Sequence, residues 1–202
     1  MNVKIFADEL KKKSAEVENL MKRTLPVIVG RMAKDHYQDN FRKSGFKNHG
    51  LQRWSATKRQ NSDITGAEGQ YGPLLSRRNH LFASIKYVPS DFRVVVSNDL
   101  PYAPIHNWGG EVNTTVTPKM RRFAWAMYYK NNPKTDGKKK PKKGKSAPQI
   151  ETTSAQFWKK MALTKKKKLK VNIPQRQFIG ESHELNEQIN KRIENELTKI
   201  IE

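Results

Sequence analysis

Cysteine is absent from this 202-residue chain. That removes disulfides, Cys-ligated zinc and thiol nucleophiles from consideration. Acidic side chains are scarce: nineteen Asp and Glu stand against forty Lys and Arg, a net charge of +21. Long apolar runs are missing too. The longest, residues 25–29, is far short of the roughly 20 residues that span a bilayer. Residues 1–13 lack the apolar centre of a secretory signal. The chain therefore reads as a soluble protein made in a cytoplasm, with no membrane partner. There is no glycine loop of the Walker or dinucleotide type. The five histidines, His36, His49, His80, His106 and His183, are scattered without an i,i+4 pair, so zinc is not expected. Between residues 100 and 180 the acids are Glu111, Asp136 and Glu151, widely separated. Metal-assisted phosphodiester cleavage needs clustered ligands, and no enzyme activity, cofactor or metal is expected.

What is abundant is positive charge. It repels copies of the chain from one another and attracts polyanions. Lys138, Lys139, Lys140, Lys142, Lys143 and Lys145 form one run, and Lys165, Lys166, Lys167 and Lys168 a second. An unpaired ammonium is too costly to bury, so both runs must face water, phosphate or acidic protein. Lysine suits sequence-blind contact with a phosphate backbone, which makes DNA a candidate partner. Charge alone fits a stand-alone, sequence-nonspecific nucleic-acid-binding protein equally well.

The length suits a single α+β domain over 1–202. Residues 1–41 read as a helical region, with Phe6, Leu10, Val17, Met21, Ile28 and Met32 recurring at helical steps. Pro26 predicts a kink or break near Leu25. Residues 42–80 read as a long loop containing Trp54. A hairpin follows, with strands at 84–88 and 92–97 and a turn at 89–91, and a third strand is expected over 111–117. Thr117-Pro118 reads as an N-cap with proline in the first turn of a short helix. Residues 131–168 form a basic insertion, of which 131–150 cannot pack a core and should be disordered when free. A short helix at 154–163 and a strand at 169–173 come next. The stripe Leu185, Ile189, Ile193, Leu197 and Ile200 marks a C-terminal helix over 182–202. The turn 102–110, with Tyr102, His106, Trp108 and paired glycines, reads as packed structure in which Trp108 covers a sheet edge.

Four stretches carry a resemblance. They are Gln52-Arg53-Trp54 with Thr57; Leu75 with Leu81, Ser84 and Ile85; Tyr102-Ala103 with His106 and Gly109; and Ile173-Pro174-x-Arg176-x-Phe178-x-Gly180 just before the last helix. In this order they resemble the phage virion-morphogenesis proteins of the tail-completion, neck type. Where that family has Thr-Gly before the second leucine, this chain has Arg78-Asn79. Asn best replaces Gly at a left-handed position. The resemblance implies a small antiparallel sheet flanked by a long N-terminal and a C-terminal helix, with a Lys-rich insertion. It implies homo-oligomeric rings at the head–tail joint or tail top, in contact with neighbouring neck or tail proteins. The location implied is the virion, assembled in the host bacterial cytoplasm, and no catalysis is implied. Arg53, Trp54, Leu81, Tyr102, Ala103, His106, Gly109, Pro174, Arg176, Phe178 and Gly180 become structural motif positions. Phe178 is expected in the core beside the last helix, and Arg176 is expected to pair with an acid across a subunit or domain contact.

Overall fold

The computed structural model describes residues 3–57, 59–61, 67–131 and 153–202. The order of elements is α+β, as expected. The chain divides into two compact units, Met1–Gly110 with Ile173–Glu202, and Glu111–Asn172.

The first unit opens with α1 (Val3–Asn19) and α2 (Leu25–Arg42). Pro26 neither ends the helix nor merely bends it. The backbone passes through a π-helical turn, Leu20–Thr24, in which the Leu25 N–H donates to Leu20 O. A proline has no N–H to offer the carbonyl four residues back. That carbonyl, on Lys22, accepts instead from the Phe92 N–H at 3.4 Å.

Phe92 lies at the tip of the hairpin of β3 (Ile85–Ser90) and β4 (Arg93–Asn98), which pair antiparallel with Tyr87 opposite Val96. The hairpin is where the sequence places it, but its turn is Asp91-Phe92 where 89–91 is expected. Pro89 stays inside β3, opposite Val94. Ile85, Tyr87, Val94 and Val96 are turned inward, while Lys86, Val88 and Val95 are exposed, the period-2 alternation of a half-covered sheet. The hairpin lies against α2 at Gly30, where an added Cβ would come within 2.4 Å of the Tyr87 ring.

Residues 42–80 are more structured than a loop. They hold a short antiparallel hairpin, β1 (Gly45–Lys47) with β2 (Leu51–Arg53), then α3 (Ala67–Gln70) and the start of α4 (His80–Ala83). Then, after β4, comes α5 (Ala103–Trp108). The unit closes with α8 (His183–Ile201), capped by Ser182 Oγ accepting from the Leu185 N–H at 3.3 Å. Its core gathers Phe41, Leu81, Ile85, Ala103 and Phe178. The Phe41 ring meets Trp54, Phe82 and Phe178 at centroid distances of 5.6, 5.9 and 5.1 Å.

The second unit comprises β5 (Gly110–Thr115), α6 (Pro118–Asn131), α7 (Thr153–Leu163) and β6 (Lys168–Ile173). The strands β5 and β6 pair with one another, so the strands form three two-stranded sheets among the described residues and not one. Thr117 Oγ1 accepts from the Met120 N–H at 3.2 Å and Pro118 opens α6, as the sequence predicts. The lysines 138–145 lie outside the described residues.

Candidate functional site

The motif residues of the first unit converge on one extended segment, residues 174–182, which leads into α8. The segment belongs to no sheet. Its buried peptide groups still need partners, because an unpaired one costs as much as a lost hydrogen bond. Side chains supply them.

From α2, Tyr37 Oη donates to Gly180 O at 2.9 Å and Asn40 Nδ2 to Phe178 O at 3.3 Å. From the chain after β2, the Trp54 indole N–H donates to Gln177 O at 2.9 Å. From α5, Asn107 Oδ1 accepts from the N–H groups of Phe178 and Ile179 at 2.9 and 3.0 Å, and its Nδ2 donates to Ile179 O at 3.0 Å. The Arg176 N–H donates to His106 O at 2.8 Å. Three separate parts of the chain thus hold one segment in place.

Arg176 is buried. Its Nε and Nη2 donate to Ser55 O at 3.1 and 3.0 Å, and Nη2 also reaches Ala56 O at 3.5 Å. The expected acidic partner is replaced by backbone carbonyls of the loop after Trp54. A planar fork of N–H donors suits two adjacent carbonyls, and no second charge has to be desolvated. Burial pushes the Arg176 pKa down from its ordinary value. Phe178 is 1% exposed and in the core.

The Tyr102-Ala103…His106…Gly109 stretch is helix α5 and its exit. Ala103 is buried. Tyr102 and His106 meet edge-to-face at 6.1 Å. Burial first, and the Arg176 charge second, lower the His106 pKa. Gly109 has φ +72°, and a Cβ there would lie 2.8 Å from the Gln175 nitrogen. Position 109 thus requires glycine both for its dihedral and for the close passage of the 173–175 backbone. Trp108 is 66% exposed and does not cover a sheet edge. Leu81 is buried in the core, Pro174 and Arg53 are exposed, and Asn79 sits at φ +47°, ψ +34°, the left-handed conformation that the Arg78-Asn79 departure predicts.

Sequence reasoning missed Tyr37, Asn40 and Asn107. Tyr37, Asn40 and Phe41 lie at i, i+3, i+4 on α2, so polar groups on the core-facing stripe are the signal that could have found the first two. For Asn107 the adjacent His106 drew attention to reactivity, where the amide beside it is structural.

A second clamp fixes the start of α8. The Glu184 carboxylate accepts from the N–H groups of Gly50 and His49 at 2.7 and 3.2 Å, and Asn48 Oδ1 accepts from the His183 N–H at 3.0 Å. The Gly50 N–H, followed by the other backbone donors, holds the Glu184 pKa down at about 2. The β1–β2 turn and the N-terminus of α8 are thereby locked together.

A cleft of about 160 Å³ lies between the 73–76 segment, His80, Leu81, Tyr102 and His106. Among the described residues, no group of three or more His, Asp or Glu side chains could hold a metal ion, and no helix is long and apolar enough to cross a membrane. Lysines 165–168 are exposed. Compared with known proteins, the chain matches the model of the phage virion morphogenesis family over residues 2–198. No curated protein and no solved structure matches it.

Proposed function

Because the chain belongs to the phage virion morphogenesis family and so has a structural or assembly role in the phage virion, we propose that it is a ring-forming, non-catalytic subunit of the head–tail joint or tail, acting in tail completion. Its partners are further copies of itself and the adjoining neck or tail proteins, met during assembly in the host cytoplasm.

The observation that carries this reading is the use made of the motif. The motif residues Trp54, Arg176 and Phe178, joined by Asn107, direct their polar atoms and rings into a frame around residues 174–182. A second observation supports self-association. Val3, Ile5, Phe6 and Leu10 of α1 are each more than half exposed, although Leu20, further along the same helical stripe, is buried. Large apolar side chains grouped at one end of a helix mark an interaction surface, and identical subunits usually close into rings.

Light scattering and native mass spectrometry over a range of salt test it. The expected result is a closed oligomer, favoured as salt screens the repulsion between +21 chains, and dissolved by Phe6→Glu with Leu10→Glu. A strict monomer at high concentration in every salt would overturn the ring. The concentration of charge in one unit favours a second reading, a stand-alone nucleic-acid-binding protein. Purified virions separate the two, since a neck subunit is present at fixed stoichiometry and a free binding protein is absent.

A further inference from the structure

The unit Glu111–Asn172 carries eighteen of the forty Lys and Arg and three of the nineteen acids, hence +15 of the +21 net charge. Its described cations sort into two groups. Some serve the fold. Arg121 Nη1 donates to Ala162 O at 3.3 Å and Thr164 O at 2.5 Å, closing the end of α7. Lys159 lies over the Tyr128 ring at 5.8 Å. Lys170 pairs with Glu111 at 2.7 Å, and Glu111 is the unit's one acid among the described residues. The others, Lys119, Arg122, Lys130, Lys160 and the run 165–168, are exposed, with no further described acid in the unit to neutralise them.

Three of these share one side of a helix. Lys119, Arg122 and Lys130 recur with Phe123, Ala126 and Tyr129 at i, i+3, i+4 and i+7 spacings along α6, and every residue of that face is exposed. We propose that this face of α6, with Lys160 and the lysines at 165–168, is a docking surface for duplex DNA, bound through its phosphates without regard to sequence. The proposal goes beyond a structural place in the virion and does not depend on it.

Charge spacing argues for DNA. Lys119 and Lys130 are eleven residues apart, about 16 Å along a helix. A duplex carries on the order of ten phosphates over that length, and its major groove, about 12 Å wide, admits an α-helix. An acidic protein would have to hold carboxylates in matching register over the same distance, whereas phosphates come as a regular array. A second copy of this unit is excluded as occupant by its like charge. A single-strand platform needs open ring faces on which bases stack. Here Phe123 and Phe157 both meet Trp158 edge-to-face, at 5.7 and 5.1 Å with interplanar angles of 85° and 74°, so the rings stand steeply to one another and form no run of parallel platforms.

The test is fluorescence anisotropy of a labelled random-sequence duplex with the full-length protein, titrated with salt. Lys119→Ala, Arg122→Ala and Lys130→Ala, combined, should leave the melting temperature unchanged. Affinity at low salt should fall about tenfold or more, and the log–log salt slope should become shallower by about 2.7, or 0.9 for each of three phosphates. Phe157→Ala, on α7 and outside that face, should bind duplex as the unaltered protein does. A triple variant with the original slope overturns the proposal. Displacement of the duplex by polyglutamate of equal charge, as effective as displacement by unlabelled duplex, overturns it in favour of an acidic protein face. Preference for a single strand, lost with Phe157→Ala, also overturns it.

Discussion

The side-chain amide of Asn107 pairs with both backbone groups of Ile179, accepting its N–H and donating to its C=O, each at 3.0 Å. It stands in for the neighbouring strand that this segment lacks, and it takes the Phe178 N–H as well. Asn107→Ala would leave two N–H groups and a carbonyl unpaired. At about 1–3 kcal/mol for each buried group, the loss should be among the largest of any polar substitution in the chain. Asn107→Asp should be damaging too, because a carboxylate cannot donate to Ile179 O. Chemical denaturation measures both, and wild-type stability in Asn107→Ala would refute the arrangement.

Phe178→Ala should cost about 3–5 kcal/mol, the usual loss for truncating a fully buried phenylalanine. Val88→Ala is the control, since Val88 is 56% exposed and surface changes generally stay within about 0.5 kcal/mol. Equal melting temperatures for the two variants would remove Phe178 from the core.

Gly109→Ala should destabilise through two routes that add. Its dihedrals, φ +72° and ψ −177°, lie in a region kept essentially to glycine and cost another residue about 1–3 kcal/mol, and the new methyl would press on the Gln175 backbone. Asn79→Gly, at φ +47° and ψ +34°, should cost less, chiefly the bond in which Asn79 Oδ1 accepts from the Ser76 N–H. Thermal melts compare them, and a tolerated Gly109→Ala would show that the 173–175 backbone can move away.

Glu184 predicts a pH dependence. Its folded-state pKa is held at about 2, below the ordinary 4.5. A depressed carboxyl pKa contributes stability that is fully present above the unfolded value and is lost as pH falls through the folded one. Glu184→Gln should therefore be less stable than the unaltered protein at neutral pH. The gap should close between about pH 4.5 and pH 2. Denaturant melts across that range read it, and a gap that stays constant would mean the charge is not what matters.

The helices were legible in the sequence wherever periodicity and capping agreed, as at Thr117-Pro118 and along Leu185 to Leu197. The β3–β4 strands were legible from their β-branched residues, but the turn was displaced because Pro89 reads as a turn former and is tolerated at an exposed strand position. The frame around 174–182 was half legible. Arg176 and Phe178 stood out as a spaced motif, yet the side chains that satisfy that segment come from residues 37, 40, 54 and 107, far away in sequence. No local pattern announces a long-range bond from a side chain to a backbone group. The exchange of an acid for carbonyl partners at Arg176 was hidden for the same reason.

Pro26 also sets the phase of the helix before it. A π turn holds one residue more than the α-helical turn it replaces, and one residue is worth about 100° of rotation. Everything N-terminal of Leu20 is swung round by that angle relative to an unbroken helix. Pro26→Ala would return a donor to the Lys22 carbonyl, releasing the Phe92 N–H and inviting the turn to tighten. The whole of α1 would then rotate as a rigid rod. Its Lys13 would leave the Ile201 carbonyl that it now reaches at 2.5 Å, and Val3, Phe6 and Leu10 would point in a new direction. One imino acid thus acts as the compass of an entire helix, steering an apolar patch that lies some twenty residues away.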